Sequence, residues 1–493
     1  MKKLIRGLAA SFLLVSLFAA CATTSAVDIE AAEKTEKTET QEKKKPVSKN
    51  KKKKFDQEAY NSAFESGDYE TCISMLNEKN AKKELKNTVR NELDIDMLIY
   101  LSKDYTGAGK AFLDTYYQMQ QLSANMTVGD IMKASLVSEN SVTYSGAEYE
   151  RYLVWSMRLS SALNTNQNDV AYGIMKDYVG TFMDEIQALR QKNKELAEAS
   201  AKKLDSDEFA DAKSSLAEAG ANFNFGEKPK ITGKTSYENS PFFNYLGTLA
   251  YAVNNDFDHA YEFASTYRVN NVKDVINVPE GKGRLEVVAL SGIIGKRSDA
   301  GEGVEPIGIH IPINGNLFSI YGKVAYPVFN PPEHLINNVR VTLSDGSWAS
   351  ALLIEDFDEA VKIDVNQKAP GAFSRSVFRN IVKNSVSVGS VIAASESLKH
   401  ADGNPIALAA ARISFNVAVD IAAKAVIKAE KADIRQGELF PHKASAAGFS
   451  LAPGSYTVQI DYYHDNTVIE SKTIENVLVK AGKVSVAVSQ CEK

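Results

Sequence analysis

The stretch SPFFNYLGTLAYAVNNDFDHA, residues 240–260, decides the fold of the first half of the chain. Ser240 and Pro241 are typical of a helix N-cap and first helical turn. Behind them, apolar residues recur at steps of three and four, which is the period of a helix with one buried face. The polar segment Asn255-Asp256-Phe257 follows, and the small residue Ala260 lies three places beyond it. The stretch therefore predicts two short helices joined by a tight turn.

The same pattern occurs three more times toward the N-terminus. Each copy has a short polar segment between two amphipathic stretches and a small residue three places after that segment. The first two copies are 36 residues apart, near the period of about 34 in tetratricopeptide repeats. We therefore predict a tetratricopeptide-like α-solenoid whose paired helices touch at the small residues. The other segments are Gly67-Asp68-Tyr69, Lys103-Asp104-Tyr105 and Asn168-Asp169-Val170, and the four repeat-packing residues are Cys72, Ala108, Gly173 and Ala260.

The spacing widens between the third and fourth copies. Apolar residues continue at helical steps from Tyr172 to Leu196, which predicts one long helix to about residue 203 and a second helix after it. We expect a long helical arm over about residues 169–220 that either protrudes or folds back. Gly and Pro residues punctuate residues 222–238, which predicts a surface loop.

The period changes from 3.6 to 2 near residues 270–284. Alternating segments such as Arg284-Leu285-Glu286-Val287 and Val339-Arg340-Val341-Thr342 predict strands. An apolar helical hairpin is predicted within them, over about residues 375–430. The predicted fold class is α+β multidomain: a helical domain over residues 55–275, then a β-rich, sandwich-like domain over residues 281–493 with an inserted helical hairpin.

Residues 1–20 have the features of a lipoprotein signal peptide. Three basic residues precede an apolar stretch that is too short to span a bilayer. It ends in Ala19-Ala20-Cys21, which is similar to the lipobox of bacterial lipoproteins and predicts Cys21 as the acylated anchor. The alternative is ordinary secretory cleavage after Ala22. We expect a lipid-anchored protein of the bacterial cell envelope, on the outer membrane and facing the periplasm or the cell surface.

Residues 21–54 are predicted to be a disordered, charged tether. They contain no aromatic residue and change from acidic to lysine-rich, a composition that forms no core. The lysine run either is solvated or touches anionic head groups. Residues 55–493 carry 44 basic and 56 acidic residues, a net charge of −12. This acidic body argues against a nucleic-acid partner.

The sequence offers no recognisable catalytic or metal-binding motif. The six histidines are isolated, with no two at ligand spacing, and the three cysteines lack the pairing of zinc sites. The carboxylates Glu355, Asp356, Asp358 and Glu359 are predicted to form a solvated helix start. We therefore expect no catalytic residue, no metal and no cofactor, and a protein that is not an enzyme.

Several scattered motifs resemble those of uncharacterised bacterial lipoproteins with tetratricopeptide-like repeats and a C-terminal β-rich domain. The resemblance covers roughly residues 55–490 and implies no catalytic residues. Asp433 and Arg435 are expected to form a structural polar pair. The motifs are Ser145-Gly146-Ala147-Glu148-Tyr149, Asn239-Ser240-Pro241-Phe242-Phe243, Gly283-Arg284-Leu285-Glu286-Val287, Ala432-Asp433-Ile434-Arg435 and Leu451-Ala452-Pro453-Gly454-Ser455-Tyr456.

Two functions follow as hypotheses. The first is a membrane-tethered scaffold that binds cell-envelope proteins through its helical repeats, since solenoids present extended concave surfaces. The second is a binding lipoprotein that holds a small envelope ligand, a glycan fragment or a lipid, in its β-rich domain.

Overall fold

The computed structural model describes residues 55–81, 88–127, 138–270, 272–313, 316–399, 427–428 and 430–493. The predicted signal peptide, Cys21 and the tether lie outside these residues, as does nearly all of the second helix of the predicted hairpin. The chain is about 50% helix and 22% strand, with helices in the N-terminal half and sheets in the C-terminal half.

The N-terminal half consists mainly of helices paired across short turns. A long helix also lies between the strands of the C-terminal half. The helices are α1 Gln57–Glu65, α2 Tyr69–Ala81, α3 Thr88–Leu101, α4 Tyr105–Asn125, α5 Glu148–Asn164, α6 Asn168–Asp177, α7 Met183–Leu204, α8 Asp207–Glu218, α9 Pro241–Val253, α10 Phe257–Thr266, α11 Lys273–Ile276 and α12 Phe357–Lys399.

Four helical hairpins share one turn geometry: α1 with α2, α3 with α4, α5 with α6, and α9 with α10. Each turn contains a residue with positive φ, namely Gly67 (75°), Lys103 (71°), Asn166 (56°) and Asn255 (61°). This left-handed residue ends the first helix, as glycine and asparagine commonly do. In three of the hairpins the next residue is an aspartate whose carboxylate caps the second helix; for example, Asp104 accepts the N–H of Gly107 at 2.9 Å.

The predicted register of the third hairpin is wrong by two residues. The turn centres on Asn166 and not on Asn168, so the residue equivalent to Ala108 is Ala171, which is fully buried. Gly173 is not a close contact point, because a Cβ built there has no atom within 4 Å. Cys72, Ala108 and Ala260 are fully buried, and the Cys72 thiol lies 3.7 Å from the carbonyl oxygen of Tyr60 on the partner helix.

The long helical segment after the third turn is continuous. A π-helical turn at Tyr178–Phe182 joins α6 to α7, and α8 follows after two residues. Both α7 and α8 pack against α12, where the rings of Phe209 and Phe378 stack with centroids 5.9 Å apart. The segment therefore folds back onto α12.

Two four-stranded sheets form the centre of the C-terminal half. Their strand orders are β12-β1-β9-β8 and β11-β10-β6-β7, and two smaller hairpins pair β2 with β5 and β3 with β4. Only the β1–β12 pair is parallel within the two larger sheets. The strands are β1 Gly283–Ser291, β2 Arg297–Asp299, β3 Ile307–Ile313, β4 Asn316–Gly322, β5 Pro327–Phe329, β6 Asn338–Leu343, β7 Trp348–Ser350, β8 Leu352–Asp356, β9 Lys443–Leu451, β10 Gly454–His464, β11 Thr467–Val479 and β12 Val484–Cys491.

The two sheets enclose one apolar core between them. Leu285 and Val287 of β1 lie in the same cluster as Val341 of β6 and Ile460 of β10. The other face of the first sheet is covered by helices, since α5 and α9 pack on β12. All nine residues of β1 are consequently buried. In this part of the chain, helices form one layer beside two facing sheets.

These layers are closely joined. Asp56–Lys493 form one compact unit, and the hydroxyl of Tyr245 in α9 donates to Glu286 of β1 at 2.6 Å. A domain division near residues 275–281 stays a prediction.

The helix predicted to begin near Arg375 begins at Phe357, directly after β8. Phe357 is fully buried, and its backbone N–H donates to the carbonyl of His442. Within the part of the chain that the structure describes, no helix combines the length and apolarity of a membrane span.

Candidate functional site

A cleft of about 560 Å³ lies beside α5, where α7 and α12 approach the segment that leads into β9. Its walls come from eight separate parts of the chain: the end of α4, the segment from Glu139 to Glu148, α7, the loop before α9, β2, β5, α12, and residues 433–435. Because these parts are far apart in sequence, no local motif could have indicated the cleft.

An ion-pair network holds the wall formed by α12. The side chain of Arg379 is fully buried and contacts Glu139 (Nη1–Oε1 3.0 Å) and Glu430 (Nε–Oε1 3.0 Å). Arg375 adds two bonds to Glu139, at 2.8 and 2.9 Å. Burial alone would raise the pKa of Glu139, but the two arginines outweigh it and hold the pKa below its usual value. Glu139 is therefore a carboxylate, and the network fixes three chain segments to one another.

The Asp433–Arg435 pair lines this cleft. Arg435 donates from Nε and Nη2 to the two carboxylate oxygens of Asp433, both at 2.8 Å, and from Nη1 to the carbonyl of Val142 at 2.9 Å. Burial alone would raise the pKa of Asp433, but Arg435 keeps it below its ordinary value. This bidentate pair joins the segment before β9 to the segment before α5.

A buried ion pair adjoins the cleft at Arg297. Arg297 of β2 is buried and contacts Asp364 of α12 at 2.8 Å, with its guanidinium 5.5 Å from the ring centre of Tyr149. Lys368 shares Asp364 at 2.8 Å and is 38% exposed. One carboxylate thus faces two cations, which leaves this part of the cleft positive.

Basic side chains of α7 line the opposite wall. Arg190 pairs with Glu148 (Nε–Oε1 2.9 Å), and Lys192 donates to the carbonyl of Ser123 at 2.6 Å. Lys194, two residues further on, is exposed. The cleft is lined by seven basic and three acidic side chains, and it stays positive when Asp364 is counted with the acids.

A second polar site forms where β8, α12 and β9 meet. His334, Asp358 and His442 bring ligand-type atoms within 4.8 Å of one another, and a cavity of about 290 Å³ adjoins them. His334 Nε2 lies 2.8 Å from Asp358 Oδ2, and His442 Nε2 lies 3.8 Å from the same oxygen and 3.4 Å from Asp356 Oδ1. The histidines are isolated in the sequence, but the fold brings His334 and His442 together. The two are 108 residues apart in sequence, so only the tertiary fold reveals the pair.

The prediction that residues 355–359 form a solvated carboxylate cluster is wrong in part. Glu355 and Asp358 are buried, with 6% and 5% of their surfaces exposed. Glu355 ends up between the sheet and α9, and Asp358 accepts the N–H of Gly295 at 2.6 Å. Sequence spacing could not show this, because both residues face elements that lie far away in the chain.

No protein-family model, curated protein or solved structure matches the chain.

Proposed function

We propose that the chain is a lipid-anchored binding protein of the bacterial cell envelope whose cleft takes a small anionic ligand, such as an acidic glycan fragment. The observation that carries this proposal is the positive cleft in an acidic protein. A cleft of about 560 Å³ is within the usual range for small-molecule sites, about 300–1,000 Å³. The anchor at Cys21 and the envelope location are part of the same proposal.

The charge contrast favours an anion over a neutral ligand. Residues 55–493 have a net charge of −12, yet basic side chains outnumber acidic ones in the cleft by seven to three. Each lining acid is bound to an arginine, namely Glu139 to Arg375, Glu148 to Arg190 and Asp433 to Arg435. The lysines Lys192, Lys194 and Lys368 therefore supply the excess positive charge. A cleft of one sign of charge concentrates ligands of the opposite sign.

The rigid walls suit binding. The ion pairs around Arg379 and Arg435 fix the segments on either side before any ligand arrives, which lowers the cost of ordering on binding. The cleft supports a binding role in preference to catalysis, because each of its acidic side chains is paired with an arginine that holds it in place.

The test is calorimetric titration with a cell-wall disaccharide that carries a free carboxylate. We expect saturable one-to-one binding to the wild type and at least five-fold weaker binding to Lys192→Gln/Lys194→Gln. The matched control is Lys282→Gln/Lys480→Gln, which removes the same charge from exposed positions outside the cleft. If both double variants lost the same affinity, the effect would come from the net charge of the protein and the cleft proposal would be wrong.

A protein scaffold is a second candidate. We propose that the four hairpins are tetratricopeptide-like repeats, which their common turn geometry supports. The inner helices α5 and α9 are covered by the sheet, so a protein partner would bind the outer helices. Those helices carry large apolar side chains that are at least half exposed: Tyr117, Val170 and Tyr261.

Such exposed apolar groups are typical of protein contacts when they cluster. Capture of envelope proteins by the wild type, lost in Tyr117→Ala/Tyr261→Ala, would support the scaffold. Capture that persists in that variant would argue against the outer helices as the binding surface.

A further inference from the structure

We infer that His334, His442 and Asp358 form a binding site for a divalent transition-metal ion, with Zn²⁺ as the best match and Asp356 as the fourth ligand. Two imidazoles and carboxylate oxygens are a donor set that zinc takes readily in proteins. This site is separate from the cleft and goes beyond the proposed ligand-binding function.

The donor atoms are spaced like ligands around one ion. Zinc–nitrogen and zinc–oxygen bonds of about 2.0–2.2 Å place neighbouring ligand atoms about 3–3.6 Å apart in a tetrahedron. His334 Nε2 lies 2.8 Å from Asp358 Oδ2, and His442 Nε2 lies 3.8 Å from the same oxygen and 3.4 Å from Asp356 Oδ1. Ligand atoms of His334, His442 and Asp358 already lie within 4.8 Å of one another, and rotation of one ring together with a turn of the Asp356 side chain would bring the fourth ligand to the ion.

The backbone around the site permits this convergence. Gly292 has a φ of 67°, and a Cβ there would lie 3.1 Å from the Cβ of His442 and 3.6 Å from Nδ1 of His334. The left-handed φ and the close approach to the Cβ of His442 therefore favour glycine at this position. The N–H of Gly295 donates to Oδ1 of Asp358 at 2.6 Å, which turns Oδ2 toward the histidines. Such supporting bonds orient metal ligands in proteins.

The two imidazole rings are stacked, with centroids 3.2 Å apart and planes 11° from parallel. An ion in the plane of one ring lies outside the plane of the other, so binding requires one ring to rotate. His442 is 4% exposed and sits between two backbone hydrogen bonds, from its N–H to Ser291 and from Phe357 to its carbonyl. His334 is 15% exposed and lies on the irregular segment before β6. His334 is therefore the ring that rotates.

Charges around the site favour a cation. Asp356, Asp358 and Glu359 adjoin the cavity, together with the basic residues Lys362 and Lys443. Lys362 pairs with Glu359 at 3.2 Å. Lys443 lies 3.9 Å from Oδ2 of Asp356, whereas Oδ1, which accepts the N–H of Asp358 at 3.1 Å, lies 3.4 Å from His442 Nε2 and is the oxygen proposed to bind the ion. The bound ion would join the end of β8, the start of α12, the start of β9 and the segment before β6, so binding should stabilise the fold.

The test uses tag-free protein, stripped with a chelator and titrated with Zn²⁺ alone. We expect one ion per chain and a rise in Tm on saturation, since a ligand that binds the folded state stabilises it. His334→Gln and Asp358→Asn should each weaken binding at least ten-fold. His310→Gln, at an exposed histidine elsewhere, should bind as the wild type does.

Cobalt provides a second readout that does not depend on stability. Co²⁺ bound by two histidines and two carboxylates in a tetrahedral site gives visible absorption bands, and Asp358→Asn should lose them. The proposal is overturned if Zn²⁺ fails to bind one-to-one, or if binding survives unchanged in both His334→Gln and Asp358→Asn. Lys192→Gln/Lys194→Gln should retain zinc binding, so failure of the ligand cleft and failure of the metal site are distinguishable.

Discussion

Glu355 joins the first sheet to the start of α9, and its titration tests the strength of this contact. Its carboxylate, near the end of β8, accepts hydrogen bonds from the hydroxyl of Ser240 at 2.6 Å, from the N–H of Phe242 at 2.8 Å and from the hydroxyl of Tyr237. Despite these donors, burial raises the pKa of Glu355 from 4.5 to about 7. Below about pH 7, Glu355 should therefore be a neutral carboxylic acid in the folded protein.

The consequence for stability follows from proton linkage. Between pH 4.5 and about pH 7, the folded state holds one proton that the unfolded chain has released. The free energy of unfolding therefore falls as pH rises through this window. A difference of about 2.5 pKa units corresponds to about 3 kcal/mol, of which about 2.5 kcal/mol is lost between about pH 5 and pH 8.

Glu355→Gln removes this titration while keeping the shape of the side chain. Urea unfolding at pH 5 and pH 8 should show the stability of the variant, relative to the wild type, rising by about 2.5 kcal/mol. Glu475→Gln, at an exposed position, is the control and should show no such change. A difference that is the same at both pH values, or that moves in favour of the wild type at pH 8, would refute the argument that burial dominates.

Three further predictions concern packing, buried charge and the anchor. Ala171→Leu should lower the free energy of unfolding by about 1–3 kcal/mol through overpacking. Gly173→Ala should raise it by about 0.5–1 kcal/mol, because the position is open and helical. If urea unfolding showed Gly173→Ala to be the less stable variant, the register predicted from sequence would be correct. Arg379→Met should lower the free energy of unfolding by about 3–5 kcal/mol, because Glu430 would stay buried without its arginine. Adding Glu430→Gln should recover part of this stability. If it recovered none, lost packing would be the cause of the effect. Cys21→Ser should move the protein from the detergent phase to the aqueous phase, and wild-type protein already in the aqueous phase would exclude acylation.

Much of the secondary structure could be predicted from sequence, because period and capping are local signals. Ser240, Pro241 and the aspartates of the turns indicated helix ends that the structure has. The third turn was misplaced because it lacks the aspartate: Gln167 follows the left-handed Asn166 and makes no side-chain cap. Asp169, two residues further on, resembled the missing cap. When a turn lacks the capping aspartate, the local sequence does not show where the turn lies.

The sites could not be predicted, because each depends on distant segments meeting in the fold. The run from Glu355 to Glu359 resembles a solvated helix start, but the side chain of Glu355 meets α9 and that of Asp358 meets His334. The same holds for Arg379, whose burial is tolerated only because Glu139 and Glu430 arrive from other parts of the chain. Charge patterns along a sequence do not show which charges become neighbours.

Recognition of negative charge is the property that we propose for the cleft. Its most direct test compares binding of the acidic cell-wall disaccharide with binding of its neutral methyl ester to the wild-type protein, at low and high salt. We predict that the acid binds at least ten-fold more tightly at low salt and that the difference shrinks as salt screens the cleft lysines. Equal affinities for acid and ester, unchanged by salt, would mean that the cleft does not recognise negative charge.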